Sequence, residues 1–387
     1  MLSSSDQKRI FGLDFARAIA ILCVVFHHLF LFSKPPAWLF PFGYLGNLGV
    51  EVFFVLSGYL LGHTLLKAFR NHRFSTGKEV FTIFFNRWLR IMPAYYFFFV
   101  VTAVVFPPFY GQIPSNLKYL FFLQNFAWEM PNLYFQSWTL AILEFFHVFF
   151  ILCLFFLYKL TNRSVLSFLI SLSLFALIPL LLRVIYIPLL GAVDFEAIIR
   201  KIVIYRLDAP VAGVLMAVVH REFPKVWAWL LTHSWIVLSL FAAITAYHMT
   251  GYPLLYTNHW AEVLFYPIVC LSFSLILPFL SNWKAADSLW GRGISFLSKL
   301  SYSIYVSHVV AMALALYLLF NVAPGTIRNY AVLGPVFLAA VLLLAYLSLL
   351  LVESPFMKLR DKWQASLKQP ATASPASFED KSPSAAT

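Results

Sequence analysis

The chain has 387 residues, of which 61% are hydrophobic and 11% are charged. Soluble globular chains are about half apolar and about a quarter charged, so this composition excludes a soluble domain and indicates a membrane protein. The net charge of +12 does not indicate a nucleic-acid partner, because the basic residues lie between apolar runs and form no patch. Cys23, Cys153 and Cys270 lie inside apolar runs without zinc or disulfide spacing, so we expect no metal site.

Apolar runs long enough to cross a bilayer recur along the whole chain. A spanning helix needs about 20 mostly apolar residues. About ten runs meet this need, at 13–33, 47–66, 91–108, 137–158, 164–187, 203–219, 226–247, 262–280, 301–320 and 331–352. The apolar segment 115–127 is short, which favours a re-entrant or interfacial segment. We therefore predict an all-α, polytopic membrane helix bundle over 1–360 and a disordered cytoplasmic tail over 361–387, which is rich in Ala, Ser and Pro.

The basic residues indicate how the bundle is oriented. With ten spans, 20 Lys and Arg residues fall on the side of the termini and 7 on the other, with Arg17 inside a span. Basic residues concentrate on the cytoplasmic side of membrane proteins, so both termini are predicted to be cytoplasmic. Four of the seven outer residues lie in 183–206. There we predict an amphipathic helix lying on the outer surface.

The first predicted span carries ionisable residues, which are costly in a membrane and usually mark function. Arg17 and His28 are 11 residues apart. At about 100° per residue they share one helix face and lie about 16 Å apart along the axis. Asp14 is about 40° from that face, whereas His27 is rotated about 100° from His28. The alternatives are an Arg17 that extends to the interface and a His28 that only bonds a neighbouring helix.

Glu144 is predicted to lie close to His28. It stands about two turns from the outer end of the fourth span, and His28 stands about five residues from the outer end of the first span. A carboxylate beside an imidazole selects its tautomer and raises its basicity, as a general base requires. The alternative for Glu144 is a structural ion pair with an arginine.

Arg87 and Arg90 precede the third span on the predicted cytoplasmic side. The three-residue spacing puts both guanidinium groups on one helix face, where they suit a phosphate group. The alternative is a plain topology anchor. Further polar groups stand at span edges, and we interpret them as packing or topology groups. They are Arg206, Asp208, Ser301, Tyr302, Ser307, His308 and Glu353.

These segments resemble, in sequence order, the acyltransferase-3 family of membrane acyltransferases. The segments are LDFARAIAILCVVFHH, GVEVFFVLSGYLLG, NRWLRIMPAYY, SWTLAILEFF, RLDAPVAGVLMA, LSKLSYSIYVSHVV and VESPFMKL. The first matches the family's pattern of Arg, ten residues and His, which selects His28 over His27. Glu51 takes a place often held by Asp, and Leu143 replaces the first of two glutamates. We expect a stand-alone form without the C-terminal esterase-like domain that many members carry.

The resemblance implies an O-acyltransferase of the bacterial cytoplasmic membrane. It would move an acyl group, most often acetyl, from cytoplasmic acetyl-CoA to a hydroxyl of an extracytoplasmic glycan or lipid-linked saccharide. Arg87 and Arg90 would hold the CoA phosphates at the inner mouth, and Arg17 would help draw the donor inward. His28 would act as general base or as acyl carrier. Glu144 would orient it, and no metal is implied.

Other functions fit the same intramembrane charges. A transporter or flippase for a sugar or lipid-linked glycan also needs ionisable groups along its path. A signalling or scaffold protein would not need such groups aligned on one helix face. Within the acyltransferase interpretation, a longer acyl group or a small-molecule acceptor is the alternative.

Overall fold

The computed structural model of the chain describes residues 10–105, 117–131, 133–190, 195–250, 258–284 and 288–366. Within these ranges the regular structure is helical and contains no strand, which confirms the all-α prediction. The main helices are α1 (Phe11–Phe32), α2 (Leu45–Arg70), α3 (Gly77–Val105), α4 (Trp138–Thr161), α5 (Ser164–Leu190), α6 (Val211–Glu222), α7 (Pro224–Thr232), α8 (Ser234–Met249), α9 (His259–Ser274), α10 (Leu277–Asn282), α11 (Leu289–Val322), α12 (Tyr330–Leu347) and α13 (Ser354–Ser366).

Seven segments of the described chain are long and apolar enough to cross a membrane, and up to eight if α7 and α8, bent by 69°, form one span. The predicted count of ten is therefore not reached by length and hydropathy. The third predicted span lies largely in α3, a 29-residue helix. The sixth is helical only from Val211, and the 12 residues of α6 are too few to span alone.

Both ends of the chain fall outside the described residues. The predicted tail begins at 361, but α13 continues to Ser366. Residues 367–387 and 1–9 lie beyond the described ranges. The short segment predicted at 115–127 is described from residue 117, where it forms single helical turns at Leu117–Leu120 and Leu123–Asn125.

The basic segment 183–206 differs from its predicted form as a helix on the outer surface. Between the end of α5 and α6 its described residues form a π-helical turn at Glu196–Arg200 and a 3₁₀ turn at Val203–Tyr205. The side chains of Arg183, Arg200 and Arg206 are buried. The prediction is wrong because these arginines find carboxylates and aromatic faces inside the bundle.

Side-chain caps set the start of three helices. The side chain of Asn258 accepts a hydrogen bond from the Trp260 amide at the start of α9, at 2.9 Å. Ser288 does the same for α11 and Asn329 for α12. Such caps satisfy amides that have no partner within the helix, and each stabilises its helix by about 1 kcal/mol.

Helices α2 and α6 approach each other closely through two glycines. A Cβ atom at Gly58 would lie 2.0 Å from the carbonyl oxygen of Pro210. A Cβ at Gly213 would lie 1.9 Å from the carbonyl oxygen of Val55. Small residues allow this backbone contact, which is a common way to pack helices in membranes. The contact also brings the polar turn that precedes α6 against the first half of α2.

The 34-residue helix α11 is the central packing element. Its serine Ser298 contacts Asp14 of α1, and its His308 contacts His28 of the same helix. The contact residue later in α1 pairs with the contact residue later in α11. The two helices therefore run parallel. The segment that leads into α4 lies against α11 too, since the Tyr134 hydroxyl donates to the carbonyl of Val306 at 3.2 Å.

Candidate active site

His28 lies in the last third of α1 and is oriented by its own helix. Its Nδ1 is 2.9 Å from the carbonyl oxygen of Val24. A carbonyl oxygen only accepts, so Nδ1 carries the hydrogen in the neutral ring and Nε2 keeps its lone pair. This tautomer leaves Nε2 as the basic atom. It is the state that a general base or a nucleophile requires.

His308 of α11 faces His28, and the ring centroids are 4.5 Å apart. Its Nδ1 is bonded to the carbonyl oxygen of Tyr305 at 2.6 Å, so this ring also keeps a lone pair on Nε2. His308 is fully buried. Within the described chain its Nε2 has no hydrogen-bond partner. Sequence reasoning interpreted His308 as a packing group. The sequence signal that could have identified it is a histidine on an apolar helix, two turns after Ser301.

Aromatic rings and one cation surround this histidine pair. Phe135 stacks on His28 with ring centroids 5.9 Å apart. The positive charge of Arg200 acts on both His28 and Tyr305. The Arg200 guanidinium lies over the Trp138 ring, 4.9 Å from its centroid. Sequence reasoning assigned Arg200 to the outer surface. A basic residue inside the apolar run AIIRKIVIY was the signal that could have marked it.

His27 is directed away from this pair. Its Nδ1 is 2.6 Å from the carbonyl oxygen of Gly43. A Cβ at Gly46 would lie 2.2 Å from the His27 Cβ, so this side chain packs tightly on the start of α2. The two neighbouring histidines of α1 therefore have different surroundings, as their rotation about the helix axis predicts. His28 faces α11, and His27 faces the backbone of the α1–α2 connection.

A column of polar residues on α11 leads from His308 toward its N-terminal end. Tyr302, Tyr305 and His308 are spaced by three residues, so they share one helix face over a rise of about 9 Å. The Tyr305 hydroxyl donates to the carbonyl of Gln136 at 2.6 Å and lies 2.5 Å from the Thr139 hydroxyl oxygen. The Tyr302 hydroxyl donates to the carbonyl of Ile91 at 2.5 Å.

Glu144 contacts Arg87 at the far end of this column. Both Nη2 and Nε of Arg87 donate to Glu144 Oε1, at 2.7 and 3.1 Å. Tyr302 interacts electrostatically with both residues. The alternative of an ion pair with an arginine is thus observed, and no hydrogen bond within the described chain joins Glu144 to His28. The predicted contact between Glu144 and His28 rested on their similar depth along their helices. It does not form, because Glu144 faces α3 while His28 faces α11.

Arg87 and Arg90 face different carboxylates. Arg87 is ten residues from the start of α3, or about 15 Å along the axis, and its side chain is partly buried. Arg90 is exposed and acts electrostatically on Glu353. Glu353 Oε1 accepts hydrogen bonds from Ser303 at 2.5 Å and Ser348 at 3.1 Å. The predicted binding of a phosphate by both arginines stays a prediction.

Arg17 lies near the other end of α1 and belongs to a small polar group. Its Nη1 is 3.2 Å from Asp14 Oδ1, which also accepts a hydrogen bond from the Ser298 hydroxyl at 2.9 Å. Asp14 and His28 therefore both contact α11, as expected if Asp14 lies about 40° from the face predicted for Arg17 and His28. The structure brings His28 and His308 together, and it separates them from the groups of Arg17 and Arg87.

A second buried polar region, the ion-pair cluster, is formed by Glu51, Arg183, Arg206 and Asp208. Arg206 Nη2 is 2.5 Å from Glu51 Oε2, and Arg183 Nη2 is 2.6 Å from Asp208 Oδ2. The Cys270 thiol also donates to Glu51 Oε2, at 3.2 Å. This cluster joins α2, α5, α9 and the turn before α6. It agrees with a packing role for Arg206 and Asp208.

Comparisons with known proteins identify sequences that are similar to this chain. A family profile described as an acyltransferase domain matches residues 10–351. The chain is similar to the peptidoglycan O-acetyltransferase OatA of Listeria monocytogenes, with 29% identity over 160 residues, covering 37% of this chain and 24% of that protein.

Two further relatives show similar identities. The putative peptidoglycan O-acetyltransferase YrhL of Bacillus subtilis is 30% identical over 165 residues, covering 38% of this chain and 24% of that protein. The O-acetyltransferase OatA of Staphylococcus aureus (strain NCTC 8325 / PS 47) is 30% identical over 183 residues, covering 43% and 28%. The chain thus spans about a quarter of the length of the curated relatives it matches. No solved structure matches the chain.

Proposed function

Since the chain belongs to the acyltransferase-3 family, we propose that it is an integral membrane O-acyltransferase that moves an acetyl group from cytoplasmic acetyl-CoA to a hydroxyl of an extracytoplasmic glycan or lipid-linked saccharide. The observation that carries the proposal is His28, whose Nδ1 is bonded to the Val24 carbonyl so that Nε2 stays basic, and whose ring contacts a second histidine inside the bundle. The names of the relatives, which act on peptidoglycan, support acetyl as the acyl group and a cell-envelope saccharide as the acceptor.

His28 is the proposed general base. Its Nε2 takes the proton from the acceptor hydroxyl while the hydroxyl oxygen bonds to the carbonyl carbon of the thioester. The tetrahedral intermediate then breaks its carbon–sulfur bond, and the CoA thiolate leaves with the proton that His28 held. The products are the O-acetyl ester and free CoA. In the alternative route, His28 Nε2 first carries the acetyl group and the hydroxyl then removes it.

Arg200 is the proposed stabiliser of the oxygen anion that develops on the thioester carbonyl. Its charge acts on His28, and its guanidinium is held by the Trp138 ring and by the Asn47 carbonyl at 3.4 Å. A cation fixed before the reaction begins stabilises charge that forms in the transition state.

Arg87 and Arg90 are the proposed binding groups for the donor phosphates, with Arg17 attracting the anionic donor toward the bundle. Arg87 is already bound by Glu144 Oε1, so a phosphate would share or displace that contact. Glu144 Oε2 is buried and has no hydrogen-bond partner within the described chain. In this arrangement Glu144 positions Arg87, and it does not orient His28.

The test is acetyl transfer by purified protein in proteoliposomes, with labelled acetyl-CoA and a muropeptide or lipid-linked saccharide as acceptor. The wild type is expected to form labelled O-acetyl ester. His28→Ala is expected to lower the rate at least about 10³-fold, because both general-base and nucleophilic routes need its Nε2. His27→Ala, the matched control one residue away, is expected to keep activity within a few-fold.

Two outcomes would contradict the proposal. Transfer by His28→Ala at the rate of the wild type would remove the proposed base. Movement of a labelled saccharide across the vesicle membrane without any turnover of acetyl-CoA would instead indicate a transporter or flippase.

A further inference from the structure

We infer that His308 is the proton-sharing partner of His28: its Nε2 accepts a hydrogen bond from the protonated His28 during acyl transfer and thereby positions and stabilises the imidazolium. The inference rests on the proposed function and deepens it, because it gives the base the partner that Glu144 was expected to be. His308 acts through His28 and is therefore a positioning residue. The acyl donor is a thioester and the acceptor a hydroxyl.

The first observation is a buried nitrogen without a partner. His308 is fully buried, its Nδ1 is used by the Tyr305 carbonyl, and its Nε2 has no hydrogen-bond partner in the described part of the chain. Buried polar atoms are nearly always bonded, and leaving one unbonded costs free energy of folding. An apolar side chain of similar size would pack there without that cost. His308 Nε2 is therefore available to accept a hydrogen that arrives during the reaction.

The second observation is where that nitrogen lies. The His308 ring is edge-on to His28, at 65° between planes and 4.5 Å between centroids. In the neutral state both rings present lone pairs on Nε2, because both Nδ1 atoms are bonded to backbone carbonyls. Neither ring can donate to the other until one of them gains a proton. A proton taken from a hydroxyl supplies the hydrogen that the pair lacks.

The third observation is the charge around His28. Arg200 acts electrostatically on His28. Glu144 was expected to stabilise an imidazolium at His28, but its carboxylate is bonded to Arg87 of α3 instead. An imidazolium at His28 therefore forms next to a cation and needs a hydrogen-bond acceptor. His308 is the neighbouring ring with an unused lone pair, and its centroid lies 4.5 Å from that of His28.

The proton balance of the step is complete. The acceptor O–H bond breaks, the hydrogen passes to His28 Nε2, and it is shared with His308 Nε2 while the carbon–oxygen bond forms. When the carbon–sulfur bond breaks, the shared proton passes to the thiolate. Both histidines return to their neutral state, and the net products are ester and thiol.

The test compares two substitutions of His308 in the full-length protein in proteoliposomes. His308→Leu removes the acceptor, and we expect kcat to fall about 10²-fold, the lower range for acid–base groups, with the KM for acetyl-CoA unchanged. The variant should unfold in detergent at a temperature close to that of the wild type, because it loses the Nδ1 hydrogen bond to Tyr305 but also removes the unbonded Nε2. His308→Gln offers an amide oxygen as acceptor, and we expect it to recover at least about tenfold of that loss.

A matched control is His248→Leu. His248 is also a buried histidine bonded to a backbone carbonyl, that of Tyr44 at 2.9 Å, but it lies on α8 away from α11. We expect its kcat to stay within a few-fold of the wild type. If His308→Leu is not recovered folded, His308→Met takes its place, because the flexible thioether fills the same space without a strong acceptor.

The outcomes separate this inference from the proposed function. A wild type without acetyl transfer would defeat both. An active wild type with an inactive His28→Ala and a fully active His308→Leu would defeat only the partnership. Equal losses in His308→Leu and His308→Gln, accompanied by lower unfolding temperatures, would show that His308 has only a structural role.

Discussion

Two buried polar regions of this bundle differ in how the charges and hydrogens of their groups are matched. In the ion-pair cluster two arginines face two carboxylates, so positive and negative charges are balanced. At the histidine pair two neutral bases face each other, and neither supplies a hydrogen. The ion pairs join helices to one another. The two Nε2 atoms of the histidine pair can form a hydrogen bond only after one of the rings gains a proton. A polar residue in a membrane helix therefore needs its partners identified before it is assigned to chemistry.

The largest expected effect breaks the ion-pair cluster. Glu51→Leu leaves Arg206 buried without its carboxylate, and we expect it to lower the free energy of unfolding by about 3–5 kcal/mol. Chemical unfolding in detergent measures this loss. The double variant Glu51→Leu with Arg206→Met should recover most of the stability and keep acetyl transfer, because an apolar pair replaces the ion pair. A single variant as stable as the wild type would contradict the structural role.

The next effect sharpens the contrast at the histidine pair. Arg200→Gln removes the cation beside His28, and we expect kcat to fall about 10²-fold, the usual loss for one oxyanion-stabilising donor. Steady-state kinetics with labelled acetyl-CoA measure it, and the KM for the donor should not change. Lys201→Gln neutralises the neighbouring charge and should have little effect. An unchanged kcat in Arg200→Gln would contradict the proposed stabilising role, and Arg200 would then serve only in packing.

A smaller effect tests the donor end of the polar column. Neutralising Arg87 and Arg90 together as glutamines should raise the KM for acetyl-CoA about tenfold or more, because each charged hydrogen bond contributes about 1.5–3 kcal/mol. The kcat should change less than the KM. Lys78→Gln, an exposed residue in the first turn of α3, is the matched control. If the KM of the double variant equals that of the wild type, the phosphates bind elsewhere.

The smallest expected effect concerns Glu79, a largely exposed carboxylate that can be compared with the two buried polar regions. Slight burial raises the pKa of Glu79, but the amides of Ser75 and Thr76, which donate to it at 2.8 and 2.9 Å, outweigh this and lower the pKa below its usual value. Glu79→Gln should therefore cost about 0.5 kcal/mol of stability. The difference between the two proteins should be present above the usual carboxyl pKa and vanish as the pH falls through the lowered one. Unfolding curves at several pH values check this.

Most of the fold could be predicted from the chain because its signals are local. Apolar length and the 3.6-residue period identified helices over each predicted span, although 203–210 forms turns instead of helix. The same period correctly put Asp14 and His28 on one face and His27 on another, because rotation about a single helix axis needs no knowledge of neighbours. The family resemblance, which depends on residues at set spacings, was confirmed by the match over 10–351.

The composition and periodicity of the sequence by themselves determined an all-α membrane bundle with a polar face on its first helix. Only the tertiary structure decided which polar groups meet. It paired Glu144 with Arg87, buried Arg183, Arg200 and Arg206, and set His308 against His28. The reason is physical: depth along a helix follows from residue count, but the direction in which a side chain faces its neighbours depends on packing between helices distant in sequence.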